Sequence, residues 1–212
     1  VPVDVDKIGI DACFSGTQKC ISAPPGLAPV TFNQRAMDIV TQRKTPIHSW
    51  YLDMSMIQGY WGQDRSYHHT APINMNYAIR EALRRIENEG IEATYDRHEK
   101  LGRALQYGLE QMGLELHVKP EYRLPQLTAV RIPEGVSDTA VRGQLLADYG
   151  IEIGGGLGDL KGKIWRVGLM GHSCNQKNVI LFLSALENIL IQQGQRVESG
   201  IGVQAALSKL VS

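Results

Sequence analysis

The run DACFSGTQKCISAPPG, residues 11–26, sets one lysine, Lys19, among small and polar residues, with a Pro-Pro-Gly break just behind it. A lysine amine becomes a useful nucleophile when its pKa is depressed or when a carbonyl partner traps it as an imine. Both are easier on a stiff turn. Ser15, Gly16 and Thr17 would let a flat ligand and its phosphate approach the backbone closely, and Ser15, Thr17 and Gln18 offer donors for phosphate oxygens. Taken alone, a solvated loop lysine is the plainer account of this stretch. A second cluster, SYHHTAP at 66–72, places the hydroxyls of Tyr67 and Thr70 just ahead of a helix expected from Ile73. Helix starts favour anions through their free N–H groups; a polar capping loop with buried aromatics would read the same way. On an extended segment His68 and His69 would point to opposite faces, which argues against a shared metal, and no metal site is expected anywhere in the chain.

The third stretch is GGGLGDLKGKIWRVGLMG, 154–171. It lacks the G-x-x-x-x-G-K-[ST] spacing, and G-x-G-x-x-G read from Gly154 is broken by Asp159, so its glycines predict a flexible loop between two strands. Arg166 lies mid-strand between Trp165 and Val167, where a charge is costly unless it sits at an edge or binds an anion. A guanidinium aimed into a site would grip a carboxylate through two parallel bonds; an outward-facing strand arginine is the alternative. A loop lysine, hydroxyl and amide donors for a phosphate, and a strand arginine for a carboxylate are together the parts of a pyridoxal 5'-phosphate site that handles amino acids.

The elements around these residues read as α/β. Alternation in VPVDVD predicts an opening strand, GLAPVTF another, and NQRAMDIVTQR an Asn-capped helix. A short helix is expected at 52–59. INMNYAIREALRRIENEG, 73–90, is amphipathic, with Ile73, Tyr77, Ile79, Leu83 and Ile86 near one face and Gly90 as its stop. A second long helix ends at Gly113. LELHVKP, LTAVRIP, IEIGGG and KIWRVGL predict short strands alternating with helices at 137–149 and 175–193, a small α+β layer. The texture changes near residues 85–92, and the last segment reads as a polar linker and a short amphipathic helix.

Composition narrows the function classes. With 22 acidic and 22 basic side chains the net charge is zero, which argues against a nucleic-acid partner or a polybasic membrane surface. The longest apolar runs are too short to span a bilayer. Cys13, Cys20 and Cys174 have neither an even count nor ligand spacing, so reduced thiols and a cytoplasmic location are expected. The opening VPVDVDKIGID, without a start methionine, fits either a trimmed terminus or a missing N-terminal portion.

SGTQK…APPG, YLDM, YHHTAPINMNYAIREAL and GGLG…GKIWRVGLMG resemble the class V aminotransferases, and most closely the alanine–glyoxylate and serine–pyruvate group, in order from residue 1 to about 193. The resemblance implies a fold-type I pyridoxal-phosphate enzyme, with the end of its large domain at 1–88 and a small C-terminal α+β domain at 89–212. It implies a homodimer with shared active sites, moving an amino group from alanine or serine to glyoxylate or pyruvate, an amino acid and a 2-oxo acid. Lys19 matches the Schiff-base lysine and Gln18 its phosphate-binding neighbour. Tyr67 and Thr70 match residues that reach the phosphate of the partner subunit's cofactor, and Arg166 the substrate-carboxylate arginine. Family members carry an N-terminal part that supplies a ring-nitrogen aspartate, a stacking aromatic and a Gly-rich phosphate turn. None is matched here, and Asp4, Asp6 and Asp11 lie too near Lys19 for that role. The chain therefore looks like the C-terminal half of such an enzyme, incomplete by itself. The alternatives are a phosphoserine aminotransferase, a desulfurase (Cys174 lacks the mobile loop that chemistry needs) or a non-catalytic subunit such as a soluble hydrogenase small subunit.

Overall fold

The computed structural model describes residues 2–211 and divides into two compact units, Pro2–Arg85 and the part from Ile86 onward. In the first unit, β1 (Ala12–Phe14) pairs antiparallel with β2 (Val30–Phe32), and Lys19 lies in the connection between them. Helix α1 (Gln34–Thr41) opens on Asn33, whose side-chain oxygen accepts from the Ala36 N–H at 3.0 Å. The Asn33 amide also donates to Asp11 at 2.8 Å, and the Arg35 guanidinium forks the same carboxylate. The Arg35 bond first, then Asn33, holds the Asp11 carboxyl below its usual pKa. Helix α2 (Met54–Trp61) is capped by Asp53.

The strand expected at VPVDVD is absent over the described residues 2–6. A strand needs a ladder partner, and here the chain turns back on itself, with the Ile8 N–H on the Asp4 carbonyl and the Ile10 N–H on that of Val5. Val1 lies outside the described residues. Helix α3 (Ile73–Glu89) forms where its spacing predicts, but its apolar stripe is not a core face: Ile73, Tyr77 and Leu83 are 56, 68 and 49 % exposed, and Ala82 is the buried residue. Periodicity marks which side of a helix is apolar; it does not say that the surrounding chain covers it.

In the second unit, Gly90 at φ +88° separates α3 from α4 (Ile91–Gln111). The sheet is antiparallel in the order β3 (Leu127–Arg131), β5 (Ile164–Gly168), β4 (Gly154–Gly155). Thr128 opposite Val167 and Val130 opposite Trp165 form its buried face. Ala129, Arg166 and Gly154 share the other. Trp165 is fully buried and donates its indole N–H to Asp138 at 3.0 Å, in the first turn of α5 (Asp138–Tyr149). The strand expected at 114–120 shrinks to a single bridge between Leu116 and Val130, because Pro120, which has no N–H, starts a helical turn. Leu105 and Leu109 of α4, Val141 and Leu145 of α5, and Leu183 and Leu186 of α6 (Gln176–Gln192) fill the core with Trp165.

The last helix, α7 (Ile201–Val211), belongs to that core: Ala206 is buried, and α7 crosses α4 at two glycines. A Cβ at Gly108 would lie 2.7 Å from the Gly202 carbonyl oxygen and 2.8 Å from Leu183, and one at Gly202 would lie 2.6 Å from Met112 Sδ. The buried Glu187 of α6 accepts the Gly200 N–H at 2.7 Å and steadies the start of α7. Gly108→Ala is therefore expected to cost about 1–3 kcal/mol of stability by overpacking, read as a lower urea midpoint at unchanged slope. Among the described residues no helix is long and apolar enough to cross a membrane.

Candidate active site

The Lys19 turn is built from inside. Thr17, expected as a phosphate donor, is fully buried; its hydroxyl donates to the Pro24 carbonyl at 2.7 Å and approaches that of Leu27 at 3.3 Å. That hydroxyl is spent as a clip across the loop. The Ala23 N–H donates to the Thr17 carbonyl at 3.0 Å and the Ser22 N–H to that of Lys19 at 2.9 Å, with Ser22 at φ +63°. This left-handed conformation costs a non-glycine residue about 1–2 kcal/mol, so the turn is held by its bonds against its own preference. Gln18 folds back over Gly16, where a Cβ would lie 2.7 Å from Gln18 Oε1. Gln18 and Lys19 stay exposed, and among the described residues no hydrogen bond or ion pair occupies the Lys19 ammonium.

Tyr67 and Thr70 are brought together, with their hydroxyl oxygens 2.7 Å apart just ahead of α3. The histidines between them are not splayed as an extended segment would have them: His68 Nδ1 and His69 Nδ1 are 2.8 Å apart, because the segment is a loop. His68 is buried and its Nε2–H donates to the Trp50 carbonyl at 2.8 Å, so a neutral His68 accepts at Nδ1 and His69 donates. Edge-on contacts of Trp50 with His68 and of Tyr51 with His69 pack the loop. Among the described residues no hydrogen bond joins Lys19 to Tyr67 or Thr70, and no group of three His, Cys, Asp or Glu side chains is placed to hold a metal.

Arg166 lies in the other unit, half-buried on the open face of the sheet. Its Nε–H donates to the Gly155 carbonyl at 2.7 Å, and among the described residues no acceptor meets its Nη atoms. The glycines at 154 and 155 form an edge strand rather than the flexible loop their number suggests, with the Gly156 N–H on the Ile164 carbonyl at 2.9 Å. Gly156 is required by packing: a Cβ there would lie 1.9 Å from the Leu160 carbonyl oxygen.

Sequence reasoning missed the residues that anchor the loop after β5. Arg97 Nη1 donates to the Gly171 and Cys174 carbonyls at 2.9 and 2.6 Å, and its Nη2 donates to Glu89 at 2.8 Å. His98 donates from Nδ1 to the Thr94 carbonyl and accepts the Gly171 N–H at Nε2, 2.8 Å. Burial pushes the His98 pKa down, which keeps Nε2 the acceptor this contact needs. In sequence, RHEKLG at 97–102 is merely a polar helix stretch; the signal is the loop more than 70 residues away.

Residues 1–160 match the family model described as "Aminotransferase class-V". The chain is 41 % identical to the (S)-ureidoglycine–glyoxylate transaminase of Bacillus subtilis, over 97 % of this chain and 54 % of that protein. It is 39 % identical to the alanine–glyoxylate aminotransferase of Callithrix jacchus, over 89 % of this chain and 47 % of that one. The crystal structure of the Bacillus subtilis ureidoglycine–glyoxylate aminotransferase superposes with a TM-score of 0.96 at 43 % identity, covering all of this chain and 55 % of that one. The chain thus spans about half the length of these relatives.

Proposed function

The chain belongs to the class V aminotransferase family, and from that premise we propose that it forms part of a pyridoxal-phosphate-dependent transaminase that uses glyoxylate as amino acceptor. The observation that carries the proposal is Arg166. A guanidinium fixed at Nε, with both Nη groups unclaimed among the described residues, is a receptor for a planar carboxylate, which amino and 2-oxo acids share.

The residues present fit the cofactor at two ends. Gly16 lacks the Cβ that would meet the Gln18 amide, the clipped turn presents a Lys19 amine with no hydrogen bond or ion pair among the described residues, and Tyr67 with Thr70 supplies neutral hydroxyl donors. Gln18, Tyr67 and Thr70 would hold the phosphate, Tyr67 and Thr70 serving the partner subunit's site in a homodimer, and Lys19 Nζ would hold the aldehyde carbon. When bound, the cofactor supplies an electron sink for the bond broken at the substrate Cα. Lys19 Nζ, displaced by the incoming donor amine, would take the proton from that Cα. In the second half of the reaction it would give a proton to the carbonyl carbon of the acceptor as that carbon becomes the Cα of the product. Arg166 orients the carboxylate, and so the Cα–H bond, for that transfer.

Alanine or serine is the donor expected from the sequence. (S)-Ureidoglycine is a second reading, supported by the relative of that activity, which is 41 % identical over 97 % of the chain. The test is turnover by the protein expressed from its full reading frame, with pyridoxal phosphate and glyoxylate, against alanine, serine and (S)-ureidoglycine. Glycine formation from at least one donor is expected, and the preferred donor decides between the readings. No glycine from any of the three would overturn the proposal. The 212 residues alone are expected to give negligible turnover.

A further inference from the structure

The residues directly across the sheet from Arg166 are both small, Ala129 on β3 and Gly154 on β4. Opposed side chains on one face start only about 5 Å apart, so small neighbours let a long side chain lie along the sheet. Arg166 does so. A Cβ built on Gly154 would lie 3.1 Å from its Nη2, 3.4 Å from Cζ and 3.5 Å from Nε, so the guanidinium covers the place a side chain would occupy. Gly154 does not have the positive φ that makes a side chain strained, so its lack of a Cβ is not explained by backbone conformation.

We infer that Gly154 is a positioning residue for the substrate carboxylate, acting through Arg166. By leaving its Cβ position empty it lets the guanidinium settle over β4 with Nε–H engaged by the Gly155 carbonyl. A guanidinium can fork a carboxylate along its Nε–Nη edge or along its Nη–Nη edge. With Nε–H engaged, the first edge is closed, and the carboxylate is received end-on by the two Nη groups. The inference rests on Arg166 being the carboxylate receptor, and its test separates the two ideas.

Gly154→Ala pushes the guanidinium by a few tenths of an ångström without straining the backbone. In the full-reading-frame protein it is expected to raise KM for both donor and glyoxylate about tenfold, since a misplacement near 1 Å costs on the order of a hundredfold, with kcat changed less than about threefold. The calorimetric Kd of propionate, a carboxylate that cannot react, should rise by the same factor while the thermal midpoint holds. In an Arg166→Ala background, adding Gly154→Ala should change neither quantity further, because both act through one contact. If Arg166→Ala leaves KM and Kd unmoved, the carboxylate role of Arg166 falls and the inference with it. If Arg166→Ala weakens both but Gly154→Ala does not, the inference alone is overturned. A Gly154→Ala effect that persists in full without Arg166 also overturns it.

Discussion

Lys19→Ala, made in the protein expressed from its full reading frame, is expected to lower kcat by about a thousandfold or more, the scale for losing a positioned general base together with the group that holds the cofactor. Stability should not follow. Lys19 is exposed, and no hydrogen bond or ion pair occupies its ammonium among the described residues, so the unfolding free energy of the cofactor-free protein should stay within about 0.5 kcal/mol. Lys19→Arg should not rescue, because a guanidinium keeps its proton at any working pH. Borohydride should fix cofactor to the wild-type chain at the Lys19 peptide and fix none to the alanine variant. Turnover within tenfold of wild type would remove Lys19 from the chemistry. The same variant reports on Tyr67 and Thr70. If these serve the partner subunit's cofactor, a mixed dimer of Lys19→Ala with a Tyr67→Phe, Thr70→Val chain holds one doubly damaged site and one intact site. About half of wild-type activity should return, by counting independent sites. Hydroxyls acting within their own subunit leave no intact site, and the mixed dimer would then be no more active than the average of its two parent homodimers.

What the sequence disclosed depended on how local the cause was. Asn33, Ser137 and Asn175 each cap a helix within their own few residues, so their helices could be placed from the chain alone. Gly90 and Gly113 end helices for an equally local reason, a positive φ. The failures are all non-local. VPVDVD alternates like a strand but finds no ladder partner, and Thr17 reads as a phosphate donor although carbonyls seven and ten residues away take its hydroxyl. The stripe of α3 is legible as apolar, yet Ile73, Tyr77 and Leu83 stay exposed. The candidate site divides the same way. Lys19, Gln18, Tyr67, Thr70 and Arg166 stand out by motif, whereas Gly154 gains meaning only from the register that sets it opposite Arg166. Arg97 and His98 likewise matter through a loop more than 70 residues on.

Arg166→Lys carries the second large effect. Lysine keeps the charge but loses the planar fork, and its ammonium cannot both replace the Nε–H bond to Gly155 and grip two carboxylate oxygens. The partner left behind is a substrate carboxylate without its matched donors, a loss of about 2–4 kcal/mol in kcat/KM, or roughly 30- to 1000-fold. The loss should fall mainly on KM, for the amino donor and glyoxylate alike, because the carboxylate contact is made in the ground state as well as during proton transfer. Cofactor absorbance and affinity should hardly change, since Gln18, Lys19, Tyr67 and Thr70 lie on other loops. Stability should change little as well: β5 is held from its buried face by Trp165, whose indole N–H bonds Asp138, and by Val167. If cofactor affinity collapses while KM stays constant, Arg166 serves the cofactor instead, and the free Nη edge beside Gly154 would have to be read as a phosphate contact rather than a carboxylate receptor.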